Sequence, residues 1–174
     1  MTTTITGSGV STGSVAASSV ASTTESFTNP PLVTTPQSMV RLNTANGYGS
    51  TNTVIRRFTN VVTNQGTDIT YADSATLGAS FTINVNGVYA IGYTDDFTAS
   101  ITLGLSLNST QLTTAIYSIT PADALAIAQT TGVNTSQTAN WTGYIAAGSI
   151  VRAHGQPGTS GASGTCKFTI TRVA

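Results

Sequence analysis

The sequence predicts an all-β protein: a single jelly-roll β-sandwich of about eight to ten antiparallel strands, preceded by an extended N-terminal arm. Short apolar runs that alternate with polar residues recur along residues 37–174, and turns rich in Gly and Asn separate them. Only one short stretch, residues 121–129, favours a helix. The length of 174 residues suits one domain with a core plus an arm.

The predicted arm covers residues 1–36 and ends at a cluster of prolines. It is rich in Ser and Thr, and its apolar side chains follow neither a helical nor a strand period. Such a segment buries too little apolar surface to order alone, so we expect neighbouring proteins to hold it. The candidate anchoring residues of the arm are Ile5, Val10, Val15, Val20 and Phe27.

The stretch from residue 80 to residue 108 organises the predicted sandwich. Two alternating runs, 81–85 and 88–93, flank Asn86-Gly87, and Asn-Gly is a strong hairpin signal because both residues tolerate positive φ. The sequence therefore predicts a hairpin with a two-residue loop. Its predicted cross-strand pairs are Val85 with Val88, Ile83 with Ala90, and Phe81 with Gly92.

Further strands are predicted at short intervals on both sides of this hairpin. They cover residues 38–42, 53–62, 68–71, 100–107, 139–146, 149–153 and 165–173, with 116–119 as a further candidate. Loops are predicted at 43–50 and 154–164. In 121–129 a helical turn and a strand are about equally favoured, because Pro121 suits a first helical turn.

The second run of the hairpin contains the main candidates for a subunit interface. Tyr89, Ile91 and Tyr93 share one face of the strand, and the predicted sheet is apolar on both faces. These side chains pack either against another copy of the chain or inside the monomer. The alternation alone leaves both possibilities open.

Two consecutive arginines, Arg56 and Arg57, must point to opposite faces of one predicted strand. One of them therefore points toward an apolar face or an interface, where it needs a carboxylate partner. We expect a salt bridge to Asp73, Asp95 or Asp96, either within the chain or between subunits. Both arginines are therefore further candidates for a subunit interface.

No catalytic constellation is present, so the sequence predicts a protein that is not an enzyme and that has no cofactor or metal site. His154, the single histidine, is expected to be an exposed loop residue, and Tyr48 lies between two glycines as an exposed aromatic suited to partner contact. Cys166 is expected to be a buried apolar side chain. The acidic pairs at 95–96 and at 68 and 73 could ligate calcium but are typical of turns.

Charge is sparse: six Lys and Arg balance six Asp and Glu, and charged residues make up 7% of the chain against about 25% in typical domains. Without a basic patch, nucleic-acid binding is not expected. No apolar run approaches the ~18 residues of a membrane span, and no secretion signal is evident. A surface of Thr, Ser, Asn and Gly suits a protein packed among copies of itself, since interface cores are depleted in charge.

Several short motifs resemble those of the globular heads of the complement and tumour-necrosis-factor superfamily. They are Phe81-Thr82-Ile83, Gly87-Val88-Tyr89-Ala90-Ile91, Leu105-Ser106-Leu107-Asn108, the segment 145–151 and Phe168-Thr169-Ile170. The resemblance implies a trimeric ten-stranded jelly roll over residues 37–173. Ser149 stands where the family usually has Asp, and no collagen-like stalk is present.

Residues 40–83 and the polar composition are similar to small virion proteins of tailed bacteriophages that use this jelly roll. The resemblance implies a homotrimeric capsid decoration (cement) protein that binds the major capsid protein and stabilises the phage head. Such a protein is made in the host cytoplasm and lies on the capsid exterior. The alternative is a tail-fibre or head-fibre tip that binds a host surface glycan or protein through loops 43–50 and 155–164.

Overall fold

The computed structural model of the chain describes residues 38–129, 132, 135–156 and 163–174. Its strands are β1 (Met39–Tyr48), β2 (Arg56–Gln65), β3 (Ile69–Ser74), β4 (Gly78–Ile83), β5 (Gly87–Phe97), β6 (Thr102–Leu107), β7 (Ala124–Gln129), β8 (Thr135–Ile145), β9 (Ile150–His154) and β10 (Lys167–Arg172). Short 3₁₀ turns lie at Ile116–Ser118, Pro121–Asp123 and Ser163–Thr165. The predicted arm at 1–36, with Ile5, Val10, Val15, Val20 and Phe27, lies outside the described residues.

The ten strands form two antiparallel five-stranded sheets. Sheet 1 has the order β2-β1-β10-β5-β8, and sheet 2 has the order β3-β4-β9-β6-β7. The chain crosses repeatedly between the sheets, so most neighbours in a sheet are distant in sequence. The predicted all-β jelly-roll sandwich is therefore confirmed.

The predicted hairpin at 81–93 is wrong, because its two runs belong to different sheets. In sheet 2 the Ile83 N–H donates to Ser149 O at 2.8 Å, whereas in sheet 1 the Val88 N–H donates to Ala174 O at 2.7 Å. Asn86 lies at the crossing, and its side-chain Oδ1 accepts a 2.8 Å hydrogen bond from the Ala147 N–H. Alternation identifies both strands correctly, but they do not pair with each other: β4 pairs with β3 and β9, and β5 pairs with β10 and β8.

The two runs of the predicted hairpin instead meet across the core. Phe81 and Ile83 point inward from sheet 2, and Tyr89, Ile91 and Tyr93 point inward from sheet 1, all with 4% exposure or less. The prediction of a subunit interface at Tyr89, Ile91 and Tyr93 is therefore wrong, since buried side chains cannot contact another copy. The alternative holds: they pack inside the monomer.

Aromatic rings join the two sheets. Phe81 of β4 stacks on Phe168 of β10 with ring centroids 4.0 Å apart and planes 9° apart. Phe58 of β2 approaches the edge of Tyr93 at 6.4 Å, and Tyr71 of β3 stacks on Phe81 at 5.4 Å. Such pairs stabilise by about 0.5–1.5 kcal/mol beyond their buried area, so they fix how the sheets pack.

Three predicted elements differ from the structure. The candidate strand at 116–119 is a 3₁₀ turn, and the ambiguous stretch 121–129 contains both alternatives, a 3₁₀ turn followed by β7. The predicted loop 43–50 is wrong in most of its length, because β1 continues to Tyr48. β1 tolerates the Gly and Asn residues there through register shifts against β2, with positive φ at Thr44 and Gly47.

Candidate interaction site

The strongest candidate for an interaction site is the outer face of sheet 1. On β5 the odd-numbered side chains point into the core, so Val88, Ala90, Gly92 and Thr94 point outward and are half-buried. We call the outward-facing side chains of β1, β10, β5 and β8 the open face. Its other members are Met39, Arg41, Asn43, Lys167, Thr169, Thr171, Thr138, Asn140, Thr142 and Tyr144.

Strand register aligns the open face into rows across the sheet. One row is Met39, Thr171, Ala90 and Thr142, and the next is Arg41, Thr169, Gly92 and Asn140. A third row is Asn43, Lys167, Thr94 and Thr138, in which the two threonine hydroxyls are 2.8 Å apart. Most of these side chains are small and uncharged, so a second surface can approach the backbone closely.

One end of the open face is apolar. Val88 pairs with Tyr144, and the Val88 carbonyl accepts a 2.8 Å hydrogen bond from the Val173 N–H. Tyr144 is 64% exposed and Val173 is 47% exposed. Exposed tyrosine beside aliphatic side chains is typical of protein interfaces. The charged members of the open face, Arg41 and Lys167, lie on β1 and β10, away from this end.

The outer face of sheet 2 is different, because a segment of the chain covers the part of it that β6 and β9 form. We call residues 109–123 the strap; it connects β6 to β7 and contains two of the 3₁₀ turns. Ile116 is 1% exposed and Ile119 is 5% exposed, so the strap buries apolar side chains against this sheet. A Cβ at Gly104 would lie 2.9 Å from Ile116 Cγ1, so the missing side chain of Gly104 makes room for Ile116.

His154 lies under the strap, and the prediction that it is an exposed loop contact is wrong. It ends β9 and is 0% exposed. Its Nδ1 is 3.0 Å from Ser106 Oγ of β6, and its Nε2 is 2.8 Å from the Thr114 carbonyl of the strap. Burial lowers the pKa of His154 from its ordinary value. The glycines that follow it in the sequence suggested a loop, but the strap buries the ring.

Arg56 forms a buried ion pair with Asp95. Arg56 Nη2 is 2.7 Å from Asp95 Oδ2, and the two side chains are 1% and 0% exposed. The Tyr93 hydroxyl also donates to Asp95 Oδ2 at 2.8 Å, and burial raises the Tyr93 pKa well above its usual value. The guanidinium lies over the rings of Tyr48 and Phe97, 4.9 and 5.4 Å from their centroids. Removing either charge from such a pair costs about 3–5 kcal/mol, because the other stays buried.

Arg57 forms the matching pair on the other side of β2. Its Nη2 is 2.7 Å from Asp73 Oδ2, with both side chains about one-fifth exposed. The predicted salt bridges to Asp73 and Asp95 are therefore confirmed within one chain. The prediction that Arg56 lies at a subunit interface is wrong, because its side chain is buried. The placement of Arg57 at a subunit interface stays a prediction.

Tyr48 is not the exposed loop aromatic that the sequence predicts. It ends β1, is half-buried, and its hydroxyl donates to the Gln156 carbonyl at 3.2 Å. Burial raises its pKa to about 12. Cys166 is buried as predicted, and burial raises the pKa of its thiol.

Three of the four acidic residues considered as calcium ligands serve as ion-pair partners. Asp68 Oδ2 is 3.2 Å from Arg172 Nη1, and Asp73 and Asp95 pair with the two consecutive arginines. Within the described ranges, no three His, Cys, Asp or Glu side chains cluster closely enough to hold a metal ion. In the same part of the chain, no helix is long and apolar enough to cross a membrane.

Sequence reasoning missed the open face and the strap. The alternation of β5 contains the signal for the open face, because the outward residues are the even-numbered partners of Tyr89, Ile91 and Tyr93. The sequence of the strap contains no comparable pattern that would predict its burial. Its burial depends on long-range contacts such as the Val54 N–H to the Leu112 carbonyl, at 2.8 Å.

Solved structures that share this architecture include crystal structures of murine APRIL at pH 5.0 and at pH 8.5. The first has a TM-score of 0.55 and 12% sequence identity, and the second a TM-score of 0.54 and 11% identity. Each alignment covers 79% of this chain and 99% of the APRIL chain. No protein-family model matches the chain, and no curated protein sequence matches it. The comparison shows that this chain has a jelly roll of the tumour-necrosis-factor type.

Proposed function

We propose that the chain is a non-enzymatic virion structural protein, a trimeric capsid decoration (cement) protein that binds and stabilises a bacteriophage head. One observation carries this proposal: the side chains on the outer face of sheet 1 are small, largely uncharged and uncovered in the described part of the chain, whereas the strap covers the β6 and β9 part of the outer face of sheet 2. An uncovered sheet face of this composition is suited to contact with another copy of the chain. The number of three copies and the phage head come from the sequence resemblance.

The open face, and not the inward face of β5, is therefore the proposed interface between copies. Ala90 and Gly92 at its centre allow close approach of a neighbouring surface, and Tyr144 supplies an exposed aromatic ring at its apolar end. Tyrosine in such positions often contributes strongly to binding. The sparse charge of the chain limits the desolvation cost of packing many copies together.

The arm at 1–36 is the proposed anchor on the capsid shell. In this account it binds the major capsid protein, and each trimer stabilises the assembled shell because it binds that state in preference to dissociated subunits. Because the three arms of one trimer are linked, binding of one arm raises the effective concentration of the other two arms at neighbouring sites on the capsid.

Mixing the purified protein with undecorated capsids tests the proposal. We expect saturable binding and a higher temperature of particle disruption. A chain lacking residues 1–36 should keep its oligomeric mass but lose capsid binding, since the open face is intact. If the full chain ignores capsids and instead adsorbs to host cells, the receptor-binding alternative replaces decoration. If the shortened chain loses its oligomeric mass, the arm holds the trimer together and the anchor role is wrong.

A further inference from the structure

Beyond the proposed assembly, we infer that the strap over sheet 2 is an acid-sensitive element that is latched by His154 at neutral pH and opens as the pH falls below about 6.5. The inference starts from the position of the ring, which lies wholly buried between sheet 2 and the strap. One ring nitrogen faces the sheet and the other faces the strap. The imidazole therefore links the two layers directly.

The hydrogen bonds of the ring fix its tautomer. The Thr114 carbonyl can only accept, so Nε2 must bear the proton of the 2.8 Å hydrogen bond. In a neutral ring Nδ1 is then bare, and it accepts the hydrogen of the Ser106 hydroxyl at 3.0 Å. A second proton would go to Nδ1, and the Ser106 hydroxyl would then rotate to accept from it, because a hydroxyl can either donate or accept. The hydrogen bond to the Thr114 carbonyl favours the charged ring, but the complete burial of the ring disfavours it more strongly, so the closed arrangement holds the neutral ring in preference.

Among the described residues, no acidic side chain lies close enough to the ring to act as a counter-charge for an imidazolium. On β9, Arg152 is the charged neighbour, and its field disfavours a second positive charge. Ser106 of β6 is neutral, and Ile55, which forms an isolated bridge with His154, is apolar. The titratable side chains of the strap, Tyr117 and Asp123, do not bond the ring, whose two nitrogens are both already engaged.

Two further hydrogen bonds and the burial of two apolar side chains hold the strap beside the latch. The Val54 N–H donates to the Leu112 carbonyl at 2.8 Å, and the Ile116 N–H donates to the Gly155 carbonyl at 2.9 Å. Burial of Ile116 and Ile119 supplies the apolar contact. Opening the strap exposes the imidazole to water and restores its ordinary pKa.

The direction of the pH effect follows from linkage. The pKa of His154 is lower in the closed state than in the open state, so protons bind the open state in preference. Above pH 6.5 the closed state therefore has its full stability relative to the open state. Below pH 6.5 the equilibrium constant that favours the closed state declines by up to about tenfold per pH unit, until the pH reaches the pKa of His154 in the closed state.

Opening the strap would dismantle a surface groove. The strap and β7 together line a depression of about 350 Å³, with Ile116, Tyr117, Ile119 and Pro121 on the strap side and residues 124–127 on the other. Tyr117 is 58% exposed and Ile127 is 51% exposed at this groove. Opening of the strap at low pH would therefore remove the strap side of the groove.

Amide hydrogen exchange of the full chain between pH 7.5 and pH 5 tests this inference, together with an NMR titration of His154. Because the chain has one histidine, its ring signals are unambiguous. After correction for intrinsic exchange, the protection of the Val54 and Ile116 amides should fall by up to about tenfold per pH unit below 6.5. The Ile83 amide, which bonds Ser149 away from the strap, should keep its protection.

His154→Gln is the matched variant, because its side-chain amide can still donate to the Thr114 carbonyl but cannot titrate. Its strap protection should be independent of pH over this range. A His154 pKa at or above 6.5 would overturn the inference, as would strap amides whose protection does not change or falls in parallel with Ile83. If His154→Gln does not fold, the wild-type pKa and exchange profiles decide the question by the same criteria.

Discussion

The two outer faces of this sandwich have the same strand architecture but different surroundings. The strap lies over the β6 and β9 part of the outer face of sheet 2, where it buries its own Ile116 and covers His154. The outer face of sheet 1 presents Ala90, Gly92 and Tyr144 without any such cover from the described part of the chain. The difference teaches that, within the described residues, the chain covers part of one face with its own segment and leaves the other face bare, which is why we propose the second face as the interface.

A charge at the centre of the open face should have the largest effect. We expect Ala90→Glu to reduce the mass in solution from three chains to one, because a carboxylate buried between subunits would lack a partner. The monomer should stay folded by circular dichroism, since position 90 points outward. Ala72→Glu is the matched control, because Ala72 is an exposed strand residue of sheet 2. A trimer that survives Ala90→Glu would place the interface elsewhere.

Removing the apolar contact of the strap should have the second largest effect. This effect should be on the stability of the folded chain and not on assembly. Ile116→Ala should lower the free energy of unfolding by about 2–5 kcal/mol in urea titrations, because it leaves a cavity between the strap and Gly104. The neighbouring exposed residue supplies the control, because Tyr117→Ala should change the free energy of unfolding by less than about 0.5 kcal/mol. Equal losses for both variants would mean that the strap is not packed as described.

Truncating the exposed tyrosine of the open face should have the smallest effect. Tyr144→Ser should weaken trimer assembly by about 1–2 kcal/mol in total, which raises the concentration of half-dissociation roughly two- to fivefold, because that concentration varies as the square root of the dissociation constant of a trimer. Sedimentation at several concentrations measures this shift. Tyr117→Ser is the control, because this tyrosine is similarly exposed but lies on the strap. The account fails here if the two tyrosine variants dissociate alike.

Local pattern was sufficient to predict most strands and one charged contact. Alternation placed the residues of β4 and β5 in strands, and the adjacency of Arg56 and Arg57 required one of the two arginines to point inward and pair with a carboxylate. Both predictions rest on the two-residue period of a strand, which needs no knowledge of the partner strands.

Pairing and burial could not be predicted in the same way. Asn86-Gly87 has the composition of a hairpin loop, but its flanking strands belong to different sheets. Ile83 and Asn86 form hydrogen bonds with residues 147–149, whereas Val88 forms one with Ala174. β5 is apolar or small on both faces, so its inward face could not be chosen from alternation. His154 precedes a glycine-rich stretch, and its burial depends on Thr114, 40 residues away in the sequence.

The mass of the full chain in solution, measured by light scattering over a range of concentrations, tests the central claim most directly. The account predicts a mass three times the 17.7 kDa of one chain, which Ala90→Glu abolishes and Ala72→Glu does not. A monomeric mass at every concentration would contradict it, because the open face would then remain exposed to solvent without a partner of its own kind.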